Sequence, residues 1–230
     1  MVGYLSNGVG VVIKDSFVNN GTITYDGTTD GADAIYVGGL IGYGYTFSYG
    51  TTTWTGNVIN NGNIICSGTS IGGQYNVGGI IASAGGSFGE NVNLYNFGDI
   101  TVTGGGTEKN GVEGIEQIGG IVGKNAGHIF HNANVYCNIK AVGANYVGML
   151  QGTARSEAGC VKNSNVGGTI CREVLFNGDT YQNEEVVVTI DGSNFMDYLY
   201  GATTDWNGGA NYDGCSFLTV KPEVPTTPAE

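Results

Sequence analysis

Five groups of residues have the types and spacing to do chemistry. The first is Asp205-Trp206-Asn207-Gly208-Gly209, followed by Tyr212-Asp213. An aromatic face stacks on a sugar ring, and amides and carboxylates bond its hydroxyls. Asp205, Trp206, Asn207, Tyr212 and Asp213 are therefore the candidate ligand-binding residues. The bland alternative is a loop whose Trp206 covers the end of the core. The second group is Asp26, Asp30 and Asp33 in YDGTTDGAD. Oxygen-rich glycine loops hold calcium. This spacing fits neither the EF-hand nor the calcium-binding nonapeptide repeat, so the three are weak metal candidates and a plain insertion loop is favoured. The third is His128 and His131, the two histidines of the chain. They would need a carboxylate such as Glu113 or Glu116 to hold a metal, and corner polarity is the simpler reading. The fourth is Glu113, Glu116 and Glu157 near Lys124, Lys140, Arg155 and Lys162. A base among cations is what an enzyme cutting an acidic polysaccharide needs. The fifth is Thr22/Thr24 and Thr101/Thr103, a candidate ice-binding array whose members do not fall in register. There is no serine elbow, P-loop or dinucleotide fingerprint, and no cofactor is expected.

The background composition narrows these readings. The chain has 230 residues, with 43 Gly, 24 Asn and 22 Thr but only 3 Pro. Charged residues make up 12 %. Collagen and Pro/Gly-rich disorder are excluded, and a hydrophobic content of 40 % supplies a core. The net charge of −12 argues against nucleic acid as a partner. Charge is uneven: residues 1–108 carry −6, 109–172 carry +3 and 173–230 carry −9. No stretch is apolar enough to span a bilayer, and the first ten residues lack the pattern of a signal peptide. Cys66, Cys137, Cys160, Cys171 and Cys215 are odd in number and form no CxxC, which disfavours zinc and thioredoxin-type chemistry. Most read as small buried hydrophobes; a Cys160–Cys171 bridge is an unsupported alternative.

What must position any site is a repeat. Val-Gly-x-Leu/Ile occurs at Val2, Val37, Val77, Ile118 (with Ile in the Val place) and Val147. Asn-x-Gly-x-Ile runs Asn19–Ile23, Asn60–Ile64 and Asn96–Ile100, with weaker copies at Asn134–Ile139 and Asn165–Ile170. The two motifs alternate along residues 2–170. Gly, Asn and Thr interrupt every four to six residues, which suits short strands and not helices. Leucine is too scarce for a leucine-rich repeat, and β-branched residues are too few for propeller blades. A parallel β-helix fits, with like residues stacking about 4.8 Å apart. A coil of about 20 residues would place two coils in each repeat, eight in all, roughly 40 Å long. Ile23, Ile64, Ile100, Ile139 and Ile170 would form one interior stack and the Val-Gly motif a second. Asn19, Asn60, Asn96, Asn134 and Asn165 would form an asparagine ladder at a corner.

The alternation of VGGLIG (37–42), VGGIIA (77–82) and IGGIVG (118–123) with NNGTI, NNGNI and NFGDI resembles the GLUG-type repeat. The stretch GKNAGHIFHNANVYCNI, from Gly123 to Ile139, is most similar to it. The resemblance covers about residues 2–170 and departs at Cys137, at Met149-Leu150-Gln151 and in the short last repeat. Such repeats occur in secreted and surface-anchored, adhesin-like bacterial proteins, notably of gut Bacteroidetes. It implies an extracellular place and a right-handed β-helix, and it carries no catalytic residue.

The chain changes character after Ile170. Val186 to Ile190 is a strong strand, Asp191-Gly192 a turn, and Ser193 the N-cap of a short helix reaching Tyr200, with Gly201 as its stop. Cys215 to Leu218 reads as a last strand. The expected organisation is a parallel β-helix over 1–170, a C-terminal cap over 171–220 and a tail or linker over 221–230. The N-terminus shows no cap, which suggests a fragment of a longer protein or end-to-end self-association there. The expected fold is all-β: a right-handed parallel β-helix solenoid with a helix-bearing C-terminal cap. The expected function is a non-catalytic extracellular or cell-surface module that binds a glycan or a host or cell-surface protein through repeated weak contacts. The alternative is a polysaccharide lyase or glycoside hydrolase on the same fold. Gathering of the 109–172 charges in one cleft would favour the enzyme, and their dispersal the scaffold.

Overall fold

Short apolar runs interrupted by glycine and asparagine make short strands, and lateral stacking lets them bury a continuous interior. A computed structural model describes residues 2–5, 16–30, 33–44, 56–85, 91–107, 115–126, 129–141, 144, 146–154, 160–172, 174–176, 180–182, 187–201 and 213–224. It is a parallel β-helix. Five strands line one full coil, and each joins its own stack; the third and fourth stacks, called here the third and fourth sheets, merge through Ala133–Ala141. The first sheet contains Ile35–Gly38, Gln74–Gly78, Ile115–Gly119 and Tyr146–Gly148. The second contains Val2–Leu5, Ile41–Gly44, Ile81–Ala84, Val122–Asn125 and Gln151–Ala154. The third contains Ser16–Asn19, Gly56–Asn60 and Val92–Asn96; the fourth contains Ile23–Tyr25, Ile64–Cys66 and Ile100–Val102. The fifth contains Thr28–Asp30, Thr69–Ile71 and Gly105–Thr107.

One coil is one repeat. Val37 pairs with Val77, Val77 with Ile118 and Ile118 with Val147. Ile23 pairs with Ile64, Ile64 with Ile100, Ile100 with Ile139 and Ile139 with Ile170. The expected division of each repeat into two coils is therefore wrong. In the first three coils, the five strands of one repeat together close a single turn. Five coils at about 4.8 Å span about 20 Å, half the expected length.

The interior is a set of columns. Ile64, Ile100, Ile139 and Ile170 are buried in one, as are Leu40, Ile80, Ile121 and Leu150 in another. Complete burial of an isoleucine or leucine side chain contributes roughly 1.5–3 kcal/mol. The corners explain the motif residues. At the Val-Gly-Gly corner, a Cβ on Gly39 or Gly79 would lie 2.0 Å from the carbonyl oxygen of the next coil's glycine, so only glycine allows that approach. At the asparagine corner, Asn19 accepts from Gly21 N at 3.1 Å and donates to Gly21 O at 2.9 Å. The amide thus serves the turn's backbone as an Asx-turn does.

The asparagine ladder is real but shorter than expected. Asn19 Nδ2 donates to Asn60 Oδ1 at 2.8 Å, and Asn60 Nδ2 donates to Asn96 Oδ1 at 2.8 Å. Asn96 Nδ2 then meets Cys137 Sγ at 3.5 Å. Asn134 and Asn165 belong to a neighbouring column, where Asn165 Nδ2 donates to Asn134 Oδ1 at 3.0 Å. Val135 and Val166 occupy the continuation of the Asn19 column. In these two coils the corner is absent. Ala133–Ala141 and Asn165–Arg172 run straight through the third and fourth sheets. A continuous ladder satisfies the backbone, so no amide is required and an apolar residue fills the place.

The cap is built as a partial further coil. Val187–Thr189 pairs antiparallel with Thr169–Cys171, and Ser216–Phe217 pairs parallel with Asn165–Val166. Met149 N donates to Tyr198 O at 2.7 Å and Leu150 N to Leu199 O at 2.9 Å, which places buried Leu199 over the Leu150 column. The expected helix is a single 3-10 turn, Phe195–Tyr198, and Ser193 does not cap it. Ser193 N and Oγ both donate to Asp191 Oδ1, at 2.7 and 2.6 Å. Local side-chain bonding around the Asp191 turn competes with helix capping and wins. Lys221–Val224 does not leave the body as a linker. Lys221 Nζ lies 4.5 Å from the centre of the Phe97 ring, and Val224 packs on Ile59, Tyr95 and Phe97 outside the third sheet.

Candidate functional site

The residues nominated from sequence are distributed as follows. Asp205, Trp206, Asn207 and Tyr212 lie outside the described residues, as do Glu113, His128, Arg155 and Glu157. Asp213 is exposed at the turn before Ser216–Phe217, and its carbonyl accepts from Asn163 N at 2.9 Å. Asp26, Asp30 and Asp33 are exposed on the first coil, where the Asp33 carbonyl accepts from Ser70 Oγ at 3.2 Å. Among the described residues, no group of three or more His, Cys, Asp and Glu side chains could hold a metal ion. The threonines do not form a flat array: Thr24 pairs with Ile65, Ile65 with Thr101 and Thr101 with Lys140.

The charges of the basic middle segment separate. Glu116 is 7 % exposed and stands in the interior column of Ile35 and Tyr75. Gly106 N donates to its Oε1 at 2.6 Å, a bond that holds the fifth sheet against the first. Lys124 is on the outside of the second sheet and donates to Gln74 Oε1 at 2.7 Å. Lys140 is exposed on the extension of the fourth sheet, and Lys162 pairs beside His131 in a short sheet of its own. Arg172 reaches under the cap. Its guanidinium donates to Val147 O at 2.5 Å, Tyr200 O at 3.0 Å and Asp197 O at 2.9 Å, and it lies 4.6 Å from the centre of the Tyr198 ring. Burial lowers its pKa from the ordinary arginine value, and Tyr198, Asp197 and Tyr200 act against that.

A polar seam, buried at its centre, lies between the first and second sheets. The residue before each Val-Gly motif forms the outer column Tyr36–Asn76–Gln117–Tyr146 on the first sheet. The outer column Tyr43–Ser83–Lys124–Thr153 runs beside it on the second. The sheets fold toward one another on this side. The Tyr36 and Tyr43 rings are 5.0 Å apart, Lys124 donates to Gln74, and Thr153 Oγ1 donates to Gln117 Oε1. The sharpness of the angle comes from glycine. A Cβ on Gly38, Gly78 or Gly119 would lie 1.8, 2.0 or 2.1 Å from the carbonyl oxygen of Ile41, Ile81 or Val122. Within the seam, Gln117 Nε2 donates to Asn76 Oδ1 at 2.9 Å. Asn76 Nδ2 is buried and has no hydrogen-bond partner among the described residues. Burial, and then Tyr43 beside it, raise the Tyr36 hydroxyl above its ordinary pKa.

The sequence reading did not nominate this seam, although its signal was present. Tyr36, Asn76, Gln117 and Tyr146 occupy one repeat position, immediately before an interior Val or Ile. The position varies from coil to coil between tyrosine and amide, which masks its common place beside the second sheet. No family model, curated protein or solved structure matches the chain.

Proposed function

We propose that the protein is a non-catalytic extracellular or cell-surface module of the adhesin-like, GLUG-repeat kind, which binds a glycan or a cell-surface chain through its repeated outer surface. One observation carries this reading: the described titratable groups of the 109–172 segment face different sides of the coil. Glu116, the described acid an enzyme would use as its base, is turned into the interior against Gly106 N. The outer surface instead repeats amides and hydroxyls from coil to coil. Asn63 Oδ1 accepts from Asp99 N at 3.0 Å, Asp99 Oδ1 from Asn138 N at 2.8 Å, and Asn138 Oδ1 from Thr169 Oγ1 at 2.7 Å. Each group alone binds weakly, and a rigid array of them gains from multivalency.

Contact with a second copy or another β-edge is a further partner reading. Phe17, Ile23 and Tyr25 of the first coil are only partly buried, and an edge with apolar content favours strand addition. No helix among the described residues is long and apolar enough to cross a membrane.

The test is incubation with a panel of acidic and neutral polysaccharides, followed by measurement of both reducing-end release and retention. The expected outcome is retention without release. Release from any member of the panel would replace this reading with the lyase or hydrolase alternative.

A further inference from the structure

We propose that the outer face of the third sheet is a docking surface for an extended, proline-punctuated chain segment, and that its resident occupant is the protein's own Lys221–Val224. Nothing in it depends on the glycan-binding reading. The surface is a stripe of apolar side chains. Val18, Ile59 and Tyr95 form one outward column of the sheet, since Val58 and Leu94 beside them face the interior. Phe97 and Tyr136 adjoin it. Ile59, Tyr95 and Phe97 are buried although they point away from the core, whereas Val18 at the end of the column is 43 % exposed. The partly buried hydrophobic side chains packed on those three are Tyr136 and Val224.

The segment crosses the coils in turn, as a strap. Leu218 N donates to Val166 O at 2.8 Å on the fifth coil. Thr219 O accepts from the Tyr136 hydroxyl at 3.5 Å on the fourth. Lys221 Nζ lies 4.5 Å from the centre of the Phe97 ring on the third, and Val224 packs on the Ile59–Tyr95–Phe97 cluster of the second and third. Gly167 clears the path: a Cβ there would stand 2.5 Å from Leu218 O. Three coil steps are about 14 Å, within reach of the six residue steps from Leu218 to Val224. The two residues that make the ring and cluster contacts each precede a proline, in Lys221-Pro222 and Val224-Pro225. A following proline holds a residue in the extended or polyproline region, so both are preset for docking. They are also three apart, and a polyproline II helix returns a side chain to the same face every third residue. Aromatic surfaces take such segments because a stiff chain loses little entropy on binding, and the lysine ammonium is drawn to the ring face. Continuity through Leu218 and Thr219 assigns the surface to this segment in cis, since the attached end keeps it at a high local concentration.

The experiment uses the whole chain, isotope-labelled at valine methyls and lysine for NMR. In the parent, ring currents should move the Val224 methyl and Lys221 ε-methylene signals upfield of their random-coil positions. Val224→Asp and Val224→Ser are made to release the strap, and Val220→Asp, at an exposed position of the same segment, is the control. Circular dichroism reports whether each variant folds. Both Val224 variants should return the Lys221 signal to its random-coil position. A glutamate-specific protease should cut them at Glu223 on the order of tenfold faster than the parent, while Val220→Asp behaves as the parent. A synthetic peptide of residues 219–230 should bind the Val224→Asp chain and shift its Tyr95 and Phe97 ring signals. The parent should bind that peptide on the order of tenfold more weakly, because its own strap competes. Random-coil Lys221 and Val224 signals in the folded parent would overturn the docked strap. Equal peptide binding to parent and Val224→Asp, or none to Val224→Asp at about 5 mM peptide, would overturn the docking surface. Upfield signals that emerge only as protein concentration rises, with a dimer in light scattering, would overturn the cis assignment in favour of the same segment from a second copy.

Discussion

Gly79 and Asn96 meet inside one coil: a Cβ on Gly79 would stand 2.5 Å from both Cγ and Nδ2 of Asn96. Gly39 leans on Asn60 in the same way, and Gly120 on Val135. The two sequence motifs alternate because their central residues are partners across the interior. Gly79→Ala would clash with the Asn96 amide and, 2.0 Å away, with the carbonyl oxygen of Gly120. Overpacking of this kind costs about 1–3 kcal/mol or more. Urea denaturation should show most of that loss persisting in an Asn96→Ala background, because the carbonyl contact remains.

Asn60 is the middle of the ladder. It accepts from Asn19 and donates to Asn96 and to Gly62 O. Asn60→Ala should cost about 2–3 kcal/mol, since it removes the donor from the buried Asn96 Oδ1 and one acceptor from the half-buried Asn19 Nδ2. Asn165→Ala removes one bond at the half-buried end of the shorter ladder and should cost about 1 kcal/mol. Equal losses for the two in chemical denaturation would contradict the division into two ladders.

Arg172 fastens the cap through the carbonyls of Val147, Asp197 and Tyr200. Hydrogen bonds to a charged donor contribute about 1.5–3 kcal/mol each at most, and they share one side chain here. Arg172→Met should leave the lower coils intact and loosen the cap. Hydrogen exchange should then quicken at Met149 and Leu150, whose amides bond to Tyr198 and Leu199, while Ile64 and Ile100 keep their protection. Uniformly faster exchange would mean that the cap and coils unfold as one unit.

Burial pushes the Cys66 thiol up to about 12, with Tyr75 beside it acting in the opposite sense. The thiol of an unfolded chain titrates near 8.5. The folded state therefore holds its proton more tightly, and this contribution is fully present below about pH 8.5. It declines between there and about 12, by about 1.4 kcal/mol for each pH unit. Stability measured from pH 7 to 11 should fall on the alkaline side, and Cys66→Ala should show a shallower fall.

Much of the fold was legible because stacking makes each structural column a sequence column. The Ile23–Ile170 stack and the Val-Gly corners follow directly from spacing. Coil length was not legible, since the polar strands Thr28–Asp30 and Thr69–Ile71 carry little apolar signal. The shift at Asn134 was visible as five residues to Ile139 where Asn96 needs four to Ile100. In an extended strand a single residue moves a side chain to the opposite face. Arg172 gave no signal at all, because its role exists only once the cap has folded back over Val147. The seam between the first two sheets drew no notice because the residue before the Val-Gly motif changes type from coil to coil.

The coils differ in length yet keep their register. Successive members of the first sheet are spaced by 40, 41 and 29 residues, at Val37, Val77, Ile118 and Val147. The differences are absorbed at the corners between the second and third sheets and between the fifth and first. Lengthening a closed loop from 29 to 41 residues raises its entropic cost by only about 0.3 kcal/mol. Corner insertions are thus nearly free of thermodynamic penalty, while a one-residue change inside a column misplaces every side chain after it. The architecture separates what can drift from what cannot, so new exterior loops can be acquired without disturbing the interior that carries them.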